Sequence, residues 1–328
     1  MPLSRLAPLG IALTLALAAA PAAADGAAQV YTGVYAYAFS DLDIQAGTFR
    51  FDGYLWFRWR CDLLGDDTFQ FVLINGAVDD IDETPVIKGD GWCRQSHRLR
   101  ATIRSNFDLH DYPFDRQRLP LRIEHRWYGP ARMRFVPDDG AIPEGSDART
   151  AFLSRDLDIG QWRVLDVTHR ADIYTYETDF GSIEKGKWDG QSSRYTFEVT
   201  IARPFFPYLL KVVLPLLIIV GMAFLAFAIR PARFDSKVSL LVTALLSSVA
   251  LHLTQASALP EVGYLVRADM FFLVSYAALG ASLLLVTLEH RRTEPAGETA
   301  EPIARAVVWA RAAVILGFCV AIALITFT

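Results

Sequence analysis

The amino-terminal part of the chain alternates apolar and polar positions in short runs. The clearest runs are residues 54–61, 98–104, 118–123 and 195–201. A period of two with one apolar face is typical of strands that are buried on one side. Turn-like segments, such as residues 88–91 and 138–140, separate the runs. Many short strands joined by turns favour a β-sandwich.

The carboxyl-terminal part holds four long apolar segments instead. We place them at about residues 207–229, 236–257, 266–290 and 304–327. Each approaches the roughly 20 residues that a helix needs to cross a bilayer core. The predicted fold class is therefore an all-β sandwich, residues 25–202, followed by an all-α transmembrane domain of four helices, residues 203–328.

Composition narrows the functional classes. Apolar residues make up 52% of the chain, and the formal net charge is −4. This charge argues against nucleic acid as a partner, because nucleic-acid-binding domains usually carry a basic surface. The histidines and cysteines form no zinc pattern, and neither a nucleotide-binding glycine loop nor a nucleophile elbow occurs. We therefore expect neither an enzyme nor a resident cofactor or metal.

The start of the chain is typical of an export signal. Arg5 precedes a short apolar stretch, residues 6–20, and residues 22–24 are all alanine. We predict a signal peptide over residues 1–24; the alternative is an uncleaved anchor, for which the stretch is short. Basic residues lie between the first and second and between the third and fourth apolar segments, which predicts that both loops are cytoplasmic. The sandwich and the carboxyl terminus would then lie outside.

One helical stripe of the second apolar segment has hydroxyl groups at one end and aliphatic side chains in the middle. It consists of Ser239, Thr243, Leu246, Ala250, Leu253 and Ser257. One interpretation is that the hydroxyls hold neighbouring helices together. The other is that the stripe lines an ion pathway, with Leu246 closing it by dewetting. A single helix cannot enclose a pore, so this second interpretation requires several subunits related by cyclic symmetry.

Charged residues lie just before this stripe. Asp235 is one helical turn from Ser239, so a ring of Asp235 carboxylates would favour cations at the cytoplasmic mouth. Arg233 and Lys237 are each two residues from Asp235, which turns them well away from it in helical projection. We expect these two side chains to face lipid headgroups or the cytoplasm.

Short motifs and the order of the segments carry a resemblance to a known family. The motifs are Asp-Tyr-Pro-Phe-Asp-Arg-Gln-Arg-Leu at residues 111–119, Arg203-Pro204 followed by Tyr208 and Pro215, and Ala258-Leu259-Pro260. With a β domain, three close spans, a short linker and a last span, the chain resembles the bacterial branch of the pentameric ligand-gated ion channels, in the Cys-loop receptor superfamily. Ser105 and Leu119 stand where animal members have the two cysteines of that loop.

The resemblance implies a homopentamer with a central pore and an agonist site between neighbouring subunits, under a hairpin near residues 176–192. The candidate ligand-binding residues are Trp56, Arg58, His125, Trp127, Tyr128, Tyr174, Tyr176, Phe180 and Trp188. An aromatic cage of this kind would suit an amine through cation–π contact. Protons and divalent ions remain alternative agonists, and core packing remains the alternative role for these aromatic side chains.

The resemblance also implies a region that couples the two domains at the membrane surface. Its candidate residues are Asp43, Tyr112, Pro113, Phe114, Asp115, Arg203 and Pro260. Asp115 and Arg203 are a plausible charged pair within it. By alignment with the family, Cys61 and Cys93 end neighbouring strands, and thiols outside the cytoplasm tend to pair, so we expect a disulfide.

The expected function is that of a ligand-gated channel for monovalent cations. The expected location is the inner membrane of a bacterium, in contact with membrane lipid, with the sandwich and the carboxyl terminus in the periplasm. The alternative is a non-conducting membrane sensor that signals through partners. Such a sensor would not need the stripe of Ser239, Thr243 and Leu246 or the carboxylate of Asp235.

Overall fold

The structure is a computed structural model. It describes residues 26–65, 67–142, 147, 151–178, 180, 190–230, 233–257, 259–293 and 300–327. The predicted signal peptide and Trp188 lie outside the described residues.

The amino-terminal domain is a sandwich of two β-sheets. Its strands are β1 (Ala28–Asp43), β2 (Thr48–Arg60), β3 (Phe71–Leu73), β4 (Gly76–Glu83), β5 (Ile87–Gly89), β6 (Trp92–Arg104), β7 (Arg116–His125), β8 (Met133–Pro137), β9 (Leu153–Asp158), β10 (Arg163–Thr175) and β11 (Gln191–Ala202). The first sheet has the order β4-β6-β2-β1-β8, with β5 paired to β6 and β9 paired to β1. The second has the order β10-β11-β7-β3. The sandwich expected from the sequence is confirmed.

The core of the sandwich follows the period-two pattern. Leu55, Phe57 and Trp59 of β2 are buried, while the residues between them are at least partly accessible. The rings of Phe57 and Phe69 stack with centroids 4.3 Å apart. Each fully buried side chain of this size contributes roughly 1.5–3 kcal/mol relative to exposure. Alternation therefore fixes which face of each strand points inward, and it leaves the other face for function.

The carboxyl-terminal domain consists of long helices. A short α1 (Cys61–Leu64) belongs to the sandwich; the first apolar helix comprises α2 (Phe206–Tyr208), a π-helical turn (Leu209–Val213), α3 (Leu214–Phe224) and a 3-10 turn (Leu225–Phe227). It is followed by α4 (Phe234–Ala256), α5 (Arg267–Thr293) and α6 (Ala300–Phe327). Pro215 has no N–H for the helical ladder, and the π-helical turn lies just before it. Among the described residues, four helices are long and apolar enough to cross a membrane.

The four helices pack around a shared apolar core, and buried hydroxyls within it bond along their own helices. Ser248, Ser275 and Ser282 each donate to the carbonyl four residues earlier, at 2.7–2.8 Å. These bonds satisfy polar groups that would otherwise be costly in an apolar interior. The buried hydroxyls are therefore satisfied within their own helices and need no partner on a neighbouring helix.

Lys237 corrects an expectation from the sequence. We expected its side chain to face lipid headgroups or the cytoplasm, but the residue is only 1% exposed and lies inside the helix bundle. Its ammonium group is 3.3 Å from the Glu289 carboxylate of α5. Helical projection correctly turned Lys237 away from Asp235. It could not show that Lys237 would pair with a carboxylate on another helix.

Candidate functional site

The predicted stripe of α4 is the exposed face of that helix. Asp235, Ser239, Thr243, Leu246, Ala250, Leu253 and Ser257 are all exposed. Leu246 and Leu253 are 64% and 67% exposed, a large apolar area for one chain to leave uncovered. The buried residues of α4, which include Leu241, Ala244 and Ser248, face the other helices.

The hydroxyls of the stripe bond to the backbone of α4 itself. Thr243 donates to the carbonyl of Ser239 at 2.8 Å, and Ser257 donates to that of Thr254 at 2.9 Å. Within one chain these two side chains do not hold α4 to a neighbouring helix. The other helices of the chain therefore leave the stripe uncovered.

A charged pair joins the loop before β7 to the end of β11. Arg203 donates from Nε and Nη2 to the two carboxylate oxygens of Asp115, at 2.7 and 3.1 Å. Asp115 is 2% exposed, and Gln117 donates to its Oδ2 at 2.6 Å. The guanidinium also lies 4.9 Å from the ring centroid of Tyr112 and 4.4 Å from that of Trp162. Two-pronged hydrogen bonding of a buried carboxylate makes this the type of pair that is costly to break.

The same loop contacts the linker between α4 and α5. The backbone N–H groups of Arg267 and Ala268 donate to the carbonyls of His110 and Tyr112, both at 2.9 Å. The His110 ring stacks on Tyr264, with centroids 3.7 Å apart. The side chain of Arg267 also donates to Asp111 at 2.7 Å. The sequence did not single out Tyr264 or Arg267, because nothing local indicates which loop they meet.

The other coupling candidates lie around this junction with different contacts. Phe114 packs against Phe205, with ring centroids 5.6 Å apart, and Pro113 is buried. Asp43 accepts a hydrogen bond from the backbone of Ala46 at 2.8 Å and so shapes its own turn. Pro260 is half-buried in the linker that follows α4.

The hairpin between β10 and β11 carries three aromatic side chains, and two of them lie beside a cation from the chain itself. Tyr174 and Tyr176 meet edge to face, as do Tyr176 and Phe180. The guanidinium carbon of Arg194 lies 3.5 Å from the Tyr174 ring centroid. Because Arg194 already covers the Tyr174 ring, this surface has less room for an amine ligand. The sequence analysis did not identify Arg194 as part of this cluster.

A buried carboxylate fixes this cation. Arg194 donates to Glu124 at 2.7 Å, and the Tyr176 hydroxyl donates to both oxygens of Glu124 at 2.9 and 3.0 Å. Burial raises the pKa of Tyr176, and the hydrogen bond to Glu124 raises it further. The cluster therefore ties the base of the hairpin to β7.

The remaining ligand candidates fall into two separate cavities of the single chain. Trp56 and Arg58 both donate to the buried Asp138, at 3.0 and 2.8 Å, beside a cavity of about 350 Å³. Trp127 and Tyr128 line another of about 200 Å³, where His125 stacks on Tyr128. The two groups of candidate residues are apart within one chain. A ligand site between subunits would take one group from each of two neighbouring chains.

Among the described residues, no three His, Cys, Asp or Glu side chains lie together as a metal ion would need.

Cys61 and Cys93 form a disulfide, with Cα atoms 5.2 Å apart. It joins the residue after β2 to the start of β6, where Trp59 is the registered partner of Cys93. The expected disulfide is thus present, and Cys319 of α6 is a free cysteine.

Comparison with known proteins adds relatives of one kind. No family model matches the chain. It is 24% identical over 320 residues to a proton-gated ion channel of Gloeobacter violaceus, covering 88% of this chain and 82% of that one. It is 24% identical over 203 residues to pH-sensitive chloride channel 2 of Drosophila melanogaster, covering 62% and 37%. It is 24% identical over 221 residues to the gamma-aminobutyric acid receptor subunit beta of Lymnaea stagnalis, covering 66% and 41%.

These relatives are channels and receptors rather than enzymes. Together with a β-sandwich followed by four apolar helices, this similarity supports membership of the superfamily of pentameric ligand-gated ion channels. The chain is therefore a multi-pass membrane protein with the function of a ligand-gated ion channel. The name of one relative specifies chloride and the names of the other two specify no permeant ion, so ion selectivity needs its own argument.

Proposed function

We propose that five copies of the chain assemble around a central pore lined by α4. The observation that carries this proposal is the exposed stripe from Asp235 to Ser257. Five-fold repetition would turn Leu246 into a closed ring and Asp235 into a ring of carboxylates. A non-conducting sensor, the alternative function, has no use for this arrangement.

We further propose that the pore selects monovalent cations and that Asp235 is the cause. Asp235 is exposed in the first turn of α4, one turn before Ser239. Five carboxylates at a narrow mouth would attract cations and repel anions. The sandwich and the carboxyl terminus would lie in the periplasm of a bacterium, since the loops that carry basic residues favour the cytoplasmic side.

Recordings from purified protein in bilayers under a salt gradient test the selectivity. The wild type should reverse near the equilibrium potential of the cation, and Asp235→Asn should move the reversal potential towards that of chloride. Asp156→Asn, which removes an exposed carboxylate from β9, is the matched control and should change nothing. A wild type that reverses at the chloride potential contradicts the proposal.

We propose protons as the agonist. The names of two relatives specify proton gating or pH sensitivity, and Arg194 already occupies the hairpin aromatics that an amine would need. Steps to acid pH should open the channel, whereas a panel of amines or Ca²⁺ at constant neutral pH should not. Opening by an amine at constant pH would contradict this choice of agonist and leave the channel proposal standing.

A further inference from the structure

A buried lysine lies next to the proposed selectivity ring. Lys237 is two residues from the exposed Asp235 in the first turn of α4, yet only 1% of it is exposed. At about 100° per residue, the two side chains leave the helix on nearly opposite sides. The cation and the carboxylate are therefore close along the chain and separated by the body of the helix.

Within the described part of the chain, one carboxylate holds this lysine. The Nζ atom of Lys237 is 3.3 Å from Oε2 of Glu289 on α5, whose side chain is 12% exposed. Arg311 of α6 donates from Nη2 to the same carboxylate at 2.5 Å and from Nη1 to the carbonyl of Phe227 at 3.0 Å. The carboxylate of Glu289 thus joins α4, α5 and α6, and Arg311 ties the first apolar helix to the same group.

We infer that Glu289 determines the selectivity of the pore by keeping Lys237 inside the helix bundle. This inference rests on the proposed cation-selective ring of Asp235. Without the carboxylate, the ammonium of Lys237 would be an unpaired charge in an apolar interior, which is strongly unfavourable. Lys237 lies only three residues after the start of α4, so its long flexible stem can pass around the end of the helix and carry the charge to the water of the pore mouth.

The consequence is electrostatic. In a pentamer, five released ammonium groups would face five Asp235 carboxylates across a narrow opening and cancel much of their field. Glu289 does not touch the ion path itself, so it acts as a positioning residue. A purely structural role at a four-helix junction would change the amount of assembled protein or the ease of opening, but not the ratio of cation to anion permeability.

Reversal potentials of Glu289→Gln under a salt gradient test the inference. The cation-to-anion permeability ratio should fall roughly tenfold, a change of a few kT in local potential. Adding Lys237→Met to the same protein should restore the wild-type ratio, because the released cation is gone. An unchanged ratio in Glu289→Gln, with a cation-selective wild type, would overturn the inference.

Lys237→Met alone provides a test that does not depend on the folding of Glu289→Gln, because Arg311 still pairs with Glu289. Its ratio should equal that of the wild type; a clear rise would mean that Lys237 already faces the pore and would overturn the inference. A wild type that prefers chloride would instead refute the proposed role of Asp235, so the two failures are distinguishable. In a Cys319→Ser background, a cationic thiol reagent should modify Asp235→Cys and not Lys237→Cys.

Discussion

At the scale of single residues, the sandwich buries two histidines in their neutral form. Burial lowers the pKa of His97 and that of His125 to about 4. His97 packs against the rings of Phe57 and Phe71, and neither of its ring nitrogens has a hydrogen-bond partner among the described residues. Such a side chain cannot accept a proton without placing a charge in the core.

The pH dependence of stability follows from this depressed pKa. In the unfolded chain histidine titrates near pH 6.5, so protons bind the unfolded state preferentially between about pH 6.5 and 4. Stability should be full above pH 6.5 and fall as the pH drops through this window, by up to about 3 kcal/mol for each histidine. Thermal unfolding followed by tryptophan fluorescence at several pH values measures the slope.

The variant His97→Phe should flatten this slope, because an apolar ring replaces the titrating one. The matched control is Asn106→Gln, at an exposed position, which removes no titratable group and should leave the slope as it is in the wild type. An acid slope that survives in His97→Phe and His125→Phe combined would show that other groups cause it.

Leu246 carries the prediction for the gate. It is the large apolar residue near the centre of the exposed stripe, so Leu246→Ser should wet the closed pore. We expect a roughly tenfold increase in agonist sensitivity, which corresponds to about 1.4 kcal/mol, or a matching resting leak. Recordings at equal surface expression measure both.

The control for the gate is Leu251→Ser, on a half-buried side of α4. This change should not raise the resting leak, although it weakens helix packing. Wild-type leak and sensitivity in Leu246→Ser would assign the constriction to another residue of the stripe.

At the scale of elements, the two domains meet where the loop before β7 touches the end of β11 and the linker between α4 and α5. Asp115 and Arg203 bind each other there, while Tyr264 and Arg267 come from the linker side. Through the loop before β7, the end of β11 is therefore joined to the linker after α4 and to the start of α5 by charged and aromatic contacts.

A double-mutant cycle tests the Asp115–Arg203 pair. Asp115→Asn and Arg203→Gln should each impair opening, and the coupling energy between them should be about 1–3 kcal/mol, because each single change leaves a buried partner unsatisfied. The free energy of gating from pH–response curves provides the measurement. The exposed pair of Asp80 and Arg100 is the control and should give coupling near zero. Additive effects at Asp115 and Arg203 would mean that they act independently.

The disulfide belongs to the same scale, because it joins β2 to β6. Replacing Cys61 and Cys93 by serine should lower the free energy of unfolding by about 3–4 kcal/mol through lost loop closure, while the strand pairing retains the fold. Thermal unfolding measures the loss. Mass spectrometry of the non-reduced protein checks the bond itself, and two alkylated thiols would contradict it.

At the scale of the whole molecule, the exposed faces of the helices indicate what surrounds them. Leu246 and Leu253 of α4 lie on a stripe that also contains hydroxyls and a carboxylate, whereas Trp309, Leu316 and Leu324 of α6 are exposed on an apolar helix that suits lipid. The mixed face of α4 suits contact with water along a central axis of the assembly, and the apolar face of α6 suits contact with lipid.

The corresponding prediction concerns assembly. Protein extracted in mild detergent should have the mass of five chains. A closed ring covers the exposed sides of the subunits without leaving an open end, and the number five is the one that the resemblance to pentameric channels implies. Native mass spectrometry measures this number. A monomer as the only species in detergents that preserve channel activity would contradict it.

Local patterns in the sequence determined a large part of this protein. Alternation located Leu55, Phe57 and Trp59 in the core, hydropathy located the four long helices, and helical periodicity selected the exposed stripe that includes Leu246. These features repeat every two or 3.6 residues along one strand or helix. Residues close together in the sequence are therefore enough to predict them.

The tertiary structure alone decided which distant residues meet. The partner of Lys237 is Glu289, the cation beside Tyr174 is Arg194, and the ring under His110 is Tyr264. A charged or aromatic side chain specifies the kind of partner that it needs but not the position of that partner. The position depends on how strands and helices pack across long stretches of chain, and this packing is set by the whole fold.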